Sequence, residues 1–238
     1  MSVATLSWAG PLDWHKIDGV VVRERFGNPP PNAPSSTAAA APAGAAVDDP
    51  DVALMLRVQA GDARAFPELF ERYAPRVLQF VRRFVGSESR AQELTQDVFA
   101  QVFKFRTRYR PESRLATWIY RIATNLSLNE LRRPEHRLRV DLWRETGDDD
   151  SRDGPPLPDP QAVTPEDAAA ARELAMALER EIGALPPKQR AALLLSRVDG
   201  LAYRDVGEIL GCSEGAVKAL LFRATHGLKA RLRDFLED

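Results

Sequence analysis

The sequence predicts an all-α protein in which two small helical domains are joined by a flexible acidic linker, the C-terminal domain being a helix-turn-helix. Apolar residues recur every three or four positions through most of the chain, and no segment shows the strict alternation of a half-buried strand. A proline-rich acidic stretch around residue 150 interrupts this helical pattern. Near the C-terminus, a glycine-containing turn separates two short amphipathic segments.

Residues 1–50 are predicted to form a largely disordered N-terminal extension. The second half of this segment is rich in proline, alanine and serine, and such a composition cannot bury enough apolar surface to offset the entropy lost on ordering. The first half contains Trp8, Trp14 and three valines at 20–22. It is either a short docking segment or a leader that does not belong to the fold.

Residues 51–137 are predicted to form the first helical domain, which has four helices. The first helix stops at Gly61, and the second is expected to bend or restart at Pro75, since proline cannot donate the helical hydrogen bond. The third spans 88–105 and the fourth 114–133. Eight residues share the apolar face of the second helix: Phe66, Leu69, Phe70, Tyr73, Val77, Phe80, Val81 and Phe84.

Residues 138–164 are predicted to be a linker, because they are acidic and rich in proline. The second helical domain then occupies 165–238. Thr164 is a candidate N-cap for its first helix, and Pro165 suits the first helical position. Further helices are expected to start near Pro187, after Gly200 and after the turn at 211–213.

Charge is distributed unevenly along the chain, although the net charge is only −1. Residues 51–139 contain 17 Lys and Arg against 10 Asp and Glu, whereas residues 140–170 contain 2 against 9. A basic block followed by an acidic one suggests a domain that binds a polyanion and is tied to a spacer. The alternative is that the basic helices simply present solvated faces.

The composition argues against several kinds of site. A single cysteine, Cys212, cannot form an intrachain disulfide and is interpreted as a small turn residue rather than a redox switch. The three histidines are scattered, and there is no phosphate-binding glycine loop or nucleophile elbow, so we expect no enzymatic activity, cofactor or metal. No apolar run approaches the roughly 18 residues of a membrane span, and the N-terminus does not resemble a signal peptide. We therefore expect a cytoplasmic protein without membrane insertion.

The segment from Leu201 to Leu221 fits a helix-turn-helix. Gly211 can adopt the left-handed conformation of a tight turn, and Ser213 can cap the second helix. That helix would place its N-terminal half in the major groove of DNA, with Lys218 and Arg223 able to reach phosphates or bases. The alternative is a helical hairpin that only completes a core.

Residues 103–133 carry basic side chains interleaved with aromatic ones. This segment contains eight Lys and Arg residues but only two acidic residues, Glu112 and Glu130. The aromatic residues among them are Phe105, Tyr109, Trp118 and Tyr120. This combination suits single-stranded nucleic acid, because cations neutralise phosphates and aromatic rings stack on bases. Trp118 is four residues from Ile122, as core residues are, so at least one of Trp118 and Tyr120 is expected to be core.

The preceding helix offers a different surface. An acidic and polar stripe at helical spacing continues into a small residue and an aromatic one that is expected to be exposed: Glu93, Gln96, Asp97, Ala100 and Phe103. The stripe is either a protein-docking face or an ordinary solvated helix side.

Three segments, in this order, resemble bacterial RNA polymerase sigma factors of the extracytoplasmic-function group of the sigma-70 family. "ELTQDVFAQVFK" is similar to the polymerase-binding helix of that family, and "RYRPESRLATWIYRIATNLSLNELRR" to its promoter-melting segment. "ALPPKQRAALLLSRVDGLAYRDVGEILGCSEGAVKALLFRA" is similar to its helix-turn-helix domain. The resemblance covers residues 52–133 and 166–235.

The resemblance implies a role for each surface. The stripe that starts at Glu93 would bind the β′ clamp helices of core RNA polymerase, and the C-terminal domain would contact the β flap. The −10 element would be held, and a flipped base captured, by Arg106, Arg108, Tyr109, Arg110, Ser113, Arg114, Trp118, Arg121, Asn125, Arg132 and Arg133. The duplex −35 element would be bound by Arg204, Ser213, Glu214, Gly215, Lys218 and Arg223. The acidic linker would thread towards the RNA exit path or act as a plain tether, and an anti-sigma factor would restrain the protein.

The sequence departs from the family pattern at a few positions in the last domain. Ala219 and Leu220 stand where many relatives have serine and arginine, and Thr225 and His226 replace a commoner basic pair. Gly207 stands where alanine is usual and is expected to weaken its helix by up to about 1 kcal/mol. The alternative function is a stand-alone helix-turn-helix regulator whose N-terminal bundle senses or dimerises.

Overall fold

The computed structural model describes residues 49–111, 113–132 and 165–233. The first group of helices contains α1 (Pro50–Gln59), α2 (Ala65–Val85), α3 (Glu88–Lys104) and α4 (Leu115–Arg132), with a 3₁₀ turn at Arg106–Arg108. The second contains α5 (Pro165–Gly183), α6 (Pro187–Leu193), α7 (Tyr203–Leu210) and α8 (Glu214–Arg231), with a π-helical turn at Leu194–Val198. No strand occurs in these ranges, and the all-α prediction is confirmed. The extension at 1–48, Glu112, Arg133 and the linker with Thr164 lie outside the described residues.

Helix α2 is continuous through Pro75, so the expected restart is wrong. Pro75 and Glu71, four residues earlier, are both exposed. The Glu71 carbonyl that loses its helical partner therefore lies on the solvent side, where water can bond to it. The predicted apolar face of α2 is buried apart from Phe70, which is half-buried.

Helix α4 is buried on most of its circumference. Leu115, Ile119 and Ala123 are fully buried, and Ile122 is 1 % exposed. The Tyr120 ring packs edge-on against Phe80 of α2 with centroids 5.4 Å apart. Because α4 contacts α2, α3 and α7, it belongs to the core of the first group and also to the boundary with the second.

The turn between α7 and α8 follows the sequence prediction. Gly211 adopts φ 64°, and the Ser213 hydroxyl accepts a hydrogen bond of 3.2 Å from the Ala216 N–H. Gly207, which is expected to weaken its helix, has a steric reason to be glycine. A Cβ at position 207 would lie 2.7 Å from the Cys212 carbonyl oxygen, closer than any normal contact.

Arg190 connects the two groups of helices from a buried position. Its guanidinium donates hydrogen bonds to the carbonyls of Phe84, at the end of α2, and of Gly183, at the end of α5, and it lies 5.7 Å from the Phe84 ring centroid. Burial lowers the pKa of Arg190 to about 10, so the side chain keeps its charge at neutral pH. A cation at two helix C-termini is favourable because the last carbonyls there lack helical partners.

We expect Arg190→Met to lower the free energy of unfolding by about 2 kcal/mol or more, since a buried carbonyl without a donor costs about 1–3 kcal/mol. The free energy of unfolding of Arg190→Lys should lie between those of Arg190→Met and the wild type. Urea unfolding followed by circular dichroism measures the effect. Arg204→Met, at an exposed arginine, is the matched control. Equal stability of Arg190→Met and this control would contradict the role assigned to Arg190.

Candidate functional site

The stripe on α3 is only partly exposed. Gln96 is exposed and the Glu93 side chain is 62 % exposed, whereas Asp97 and Ala100 are half-buried. Phe103 was expected to be exposed, and this is wrong. Its ring packs edge-on against Phe66 at 5.0 Å, and the Arg106 guanidinium lies 4.1 Å from the ring centroid. The surface that α3 offers to a partner is therefore an acidic, polar face whose far end is covered by a cation.

Arg90 holds this face in place. Its guanidinium donates two hydrogen bonds of 2.7 Å to the buried Glu130 carboxylate on α4 and also pairs with Glu93. The bidentate bond to Glu130 is the largest cause of the raised pKa of Arg90. Through Arg90, the orientation of the Glu93 carboxylate depends on the packing of α3 against α4.

The basic segment after α3 forms a cationic surface on aromatic rings. Lys104 Nζ and the Arg108 guanidinium lie 5.4 Å and 5.1 Å from the Phe105 ring centroid. Arg110 and Arg114 are exposed. Cation–π contact holds the charged ends of Lys104 and Arg108 over the Phe105 ring, and both side chains are exposed.

The aromatic residues predicted to contact DNA are buried. Tyr109 is 1 % exposed and Trp118 is 8 % exposed, and their rings pack together with centroids 5.3 Å apart. Tyr120 is also buried, so both Trp118 and Tyr120 are core. In this structure neither Tyr109 nor Trp118 is available to stack on a base, because each fills the space between the basic loop and the helices beneath it.

The remaining predicted residues of this region occupy three settings. Ser113 and Asn125 are half-buried, and Arg132 is exposed at the end of α4. Arg121 is neither free nor exposed, since it pairs with Glu208 of α7. The cationic surface that solvent can reach therefore consists mainly of the loop before α4 rather than of α4 itself.

One face of α4 lies against the second group of helices. Tyr120 donates a 2.6 Å hydrogen bond to Asp199, which follows the π-helical turn, and Arg121 pairs with Glu208 of α7. Thr117 and Thr124 share this face with Tyr120 and Arg121, at spacings of three, four and seven residues. Their hydroxyls are buried and have no hydrogen-bond partner among the described residues. Packing of α4 against the second group of helices therefore leaves these two hydroxyls without hydrogen bonds among the described residues.

Asp199 is a half-buried titratable group at this boundary. Burial raises its pKa to about 6, and the Tyr120 hydroxyl, Arg83 and Arg76 oppose the shift. The second carboxylate oxygen of Asp199 has no hydrogen-bond partner within the described ranges. The π-helical turn places Asp199 here, because the Asp199 N–H closes the turn on the Leu194 carbonyl at 3.0 Å.

The exposed face of α8 carries the predicted basic residues. Lys218 pairs with Glu214 at 3.1 Å, and Arg223 donates to the Ala219 carbonyl at 3.2 Å. Arg204 on α7 and Gly215 are exposed as well. These contacts within one helix are weak and open to solvent, so the cations can exchange them for a polyanion.

Sequence reasoning missed Phe222 on this face. It lies four residues after Lys218, is 69 % exposed, and touches only the His226 ring, with centroids 5.9 Å apart, among its described aromatic contacts. Its neighbour in the sequence, Leu221, is buried, so helical spacing from Val217 and Leu221 was the signal that placed Phe222 outside.

The described residues show neither a metal site nor a membrane span. They contain no group of three or more histidine, cysteine, aspartate or glutamate side chains that could hold a metal ion. Among the described helices none has the length and hydropathy needed to cross a membrane.

Comparison with known proteins gives matches over most of the chain. Residues 69–137 match the family "Sigma-70 region 2", and residues 175–225 match "Sigma-70, region 4". The chain is 32 % identical over 194 residues to the RNA polymerase sigma-H factor of Pseudomonas aeruginosa, covering 79 % of this chain and 96 % of that protein. It is 29 % identical to the ECF RNA polymerase sigma factor SigW of Bacillus subtilis, covering 75 % and 94 %. A solved structure of CnrH in complex with the cytosolic domain of CnrY has a similar fold, with a TM-score of 0.56, 22 % identity and coverage of 78 % and 99 %.

We expect the contact between α4 and Asp199 to weaken as pH rises through about 6. A carboxyl whose pKa is raised on packing binds its proton more tightly in the packed state, so its contribution is complete below the ordinary pKa of about 3.9 and is lost above pH 6. Urea unfolding of wild type and Asp199→Asn at pH 5 and pH 7.5 measures this. The stability of the wild type relative to the variant should fall at the higher pH, and a pH-independent difference would contradict it.

Proposed function

The chain belongs to the extracytoplasmic-function group of the sigma-70 family, and we propose that it is a promoter-specificity subunit that binds core RNA polymerase, directs it to promoters and melts the −10 region. The observation that carries this proposal is the order of the surfaces along one chain. An acidic helix face is followed by a basic loop and then by a helix-turn-helix with exposed cations. The protein acts in the cytoplasm with the polymerase, and covalent chemistry is left to the polymerase.

The α3 face is the surface that binds the β′ clamp helices. Glu93 and Gln96 are exposed, and Asp97 and Ala100 are half-buried beside them. Phe103 shapes the end of this face from below, with Arg106 over its ring. Carboxylates on a rigid helix favour a basic partner, and Glu93 stays 62 % exposed although it pairs with Arg90 on the same helix.

The loop before α4 is the part that first meets the −10 strand. Arg108, Arg110 and Arg114 are exposed and can neutralise phosphates, while Arg106 is half-buried against Phe103. Ser113, Asn125 and Arg132 complete the described part of the surface that holds the unpaired strand, and the resemblance to the family assigns Arg133 to the same role. Tyr109 and Trp118 contribute by supporting this surface, because both rings are buried under it.

Binding of the −10 strand along α4 requires the second group of helices to move away. The Arg121 side chain pairs with Glu208, and the Thr117 and Thr124 hydroxyls are buried on the same face. Moving α7 would free Arg121 for phosphate and the two hydroxyls for water or bases. The free chain therefore has low affinity for isolated promoter DNA, and docking on the polymerase separates the two groups.

The −35 element is bound by the face of α8. Lys218 and Arg223 contact phosphates or base edges, Arg204 of α7 contacts the DNA backbone, and the Ser213, Glu214 and Gly215 end of α8 enters the major groove. Phe222 adds an apolar contact of the kind that a thymine methyl group accepts. The second group of helices also contacts the β flap of the polymerase. Residues 138–164 connect the two DNA-binding parts and run towards the RNA exit path of the polymerase. An anti-sigma factor restrains the protein.

The competing function is a stand-alone helix-turn-helix regulator, which would bind duplex DNA without polymerase. Pull-down with core RNA polymerase followed by run-off transcription separates the two. The sigma function predicts tight binding to core enzyme and transcripts that depend on the chain. Tight duplex binding without affinity for core enzyme would favour the regulator.

We expect Glu93→Lys with Asp97→Lys to abolish binding to core polymerase while helical content is retained, because both charges of the docking face are reversed on a helix whose core is unchanged. Fluorescence anisotropy of the labelled chain with core enzyme, together with circular dichroism, provides the measurement. Glu68→Lys with Glu71→Lys makes the same charge change on exposed positions of α2. Loss of helical content in the first variant would show that the stripe is structural.

We expect Lys218→Ala and Arg223→Ala to weaken holoenzyme binding to promoter DNA, since each removes a cation that can neutralise a phosphate. For a phosphate contact, the slope of log affinity against log salt should fall by about one per residue. Filter binding over a range of salt concentrations tests this. Arg197→Ala, at an exposed arginine outside α7 and α8, should leave both affinity and slope unchanged.

A further inference from the structure

Gln59, the last residue of α1, is bound to the basic loop 47 and 50 residues further along the chain. Its side-chain amide donates hydrogen bonds to the carbonyl of Arg106 at 2.6 Å and to the carbonyl of Tyr109 at 2.9 Å. The two carbonyls are at the two ends of the 3₁₀ turn Arg106–Arg108. One NH₂ group therefore holds both ends of the turn that carries the first cations of the loop.

The chemistry of this contact requires a donor with two hydrogens. Both partners are backbone carbonyls, so the orientation of the amide follows from the contact: nitrogen faces the loop and oxygen faces away. A carboxylate of the same shape has only acceptors and would repel both carbonyls. An apolar side chain of similar length would fill the space but leave the Tyr109 carbonyl without this donor.

Helix α1 is a rigid support for Gln59. Its residues Val52, Met55 and Val58 are buried in the first group of helices. The Asp51 carboxylate accepts hydrogen bonds from Arg72 and from the Tyr73 hydroxyl of α2. Burial and the Asp51 contact together raise the pKa of Tyr73. Because both ends of α1 are fixed, the position of Gln59 relative to α2 is determined by packing rather than by the loop.

The loop is thus anchored on its inner side and exposed to solvent on its outer side. Tyr109 is buried beneath it and Gln59 binds its backbone, whereas Arg108 and Arg110 are exposed. With the backbone held at both ends of the turn, the backbone positions from which these two side chains extend are set before DNA arrives. Pre-ordering of this kind lowers the entropy lost when a strand is bound.

We propose that Gln59 is a positioning residue for promoter opening: by holding the 3₁₀ turn, it aims the arginines of the loop at the −10 strand. This inference rests on the proposed function, and it assigns a role to a residue that precedes the segment matched by the region 2 family. Gln59 itself does not touch DNA. Its effect is therefore expected on opening and strand capture, not on attachment to the polymerase or on the −35 contact.

The test compares Gln59→Glu and Gln59→Met in holoenzyme formed with core polymerase. Opening is followed by the fluorescence of 2-aminopurine placed in the −10 element, with core affinity measured in parallel. The opening rate per bound holoenzyme should fall about tenfold in Gln59→Met, the effect of one or two lost hydrogen bonds, and further in Gln59→Glu. Gln79→Glu makes the same change at an exposed position of α2 and should behave as wild type.

The outcomes separate this inference from the function on which it rests. If wild-type chain with core polymerase opens no promoter, the proposed function fails. If wild type opens the promoter and both Gln59 variants open it at the same rate, the positioning role is overturned. It is also overturned if the variants lose core affinity and thermal stability while holoenzyme that does form opens at the wild-type rate, because Gln59 would then be structural only.

Discussion

The packing of α4 between neighbours from both groups of helices is the constraint on which the arrangement of the molecule depends. Leu115, Ile119 and Ala123 are buried in the first group, so α4 cannot leave α2 and α3 without exposing apolar core. Its opposite face is polar and binds Asp199 and Glu208 of the second group. A helix with one apolar and one polar boundary can separate only at the polar one. The second group of helices is therefore the part that can move, and α4 stays with the basic loop.

The polar boundary is poorly satisfied, in contrast to the core. Thr117, Thr124 and one oxygen of Asp199 are buried without a hydrogen-bond partner among the described residues. Each such group loses hydration on packing and regains it on separation, which lowers the free energy needed to open this boundary. Arg190 acts in the other direction, because its buried guanidinium binds carbonyls from both groups. The balance between these contacts decides how often α4 is accessible.

Local signals in the sequence predicted the helices and the turn between α7 and α8 well, since caps and left-handed glycines act within a few residues. Gly211, Ser213 and Pro187 are examples whose predicted roles are confirmed. The restart predicted at Pro75 was wrong, because the effect of a proline on a helix depends on whether the carbonyl four residues earlier, here that of Glu71, faces solvent. The basic and aromatic pattern at 103–133 indicated a nucleic-acid surface but could not separate supporting rings from exposed ones. Tyr109 and Trp118 have the same spacing in either case, and only packing shows them buried. Contacts such as that of Gln59 with the loop, or Tyr120 with Asp199, join residues 47 to 79 positions apart and leave no local signal.

In the proposed function, α4 packs against the second group of helices in the free chain and is released when the polymerase binds. Energy transfer between dyes at Glu71→Cys on α2 and Lys229→Cys on α8, in a Cys212→Ser background, measures it directly, since Cys212 is the sole natural cysteine. We expect a single high-transfer population for the free chain and a fall in transfer when core polymerase is added. Unchanged transfer in a holoenzyme that still melts promoter DNA would contradict it.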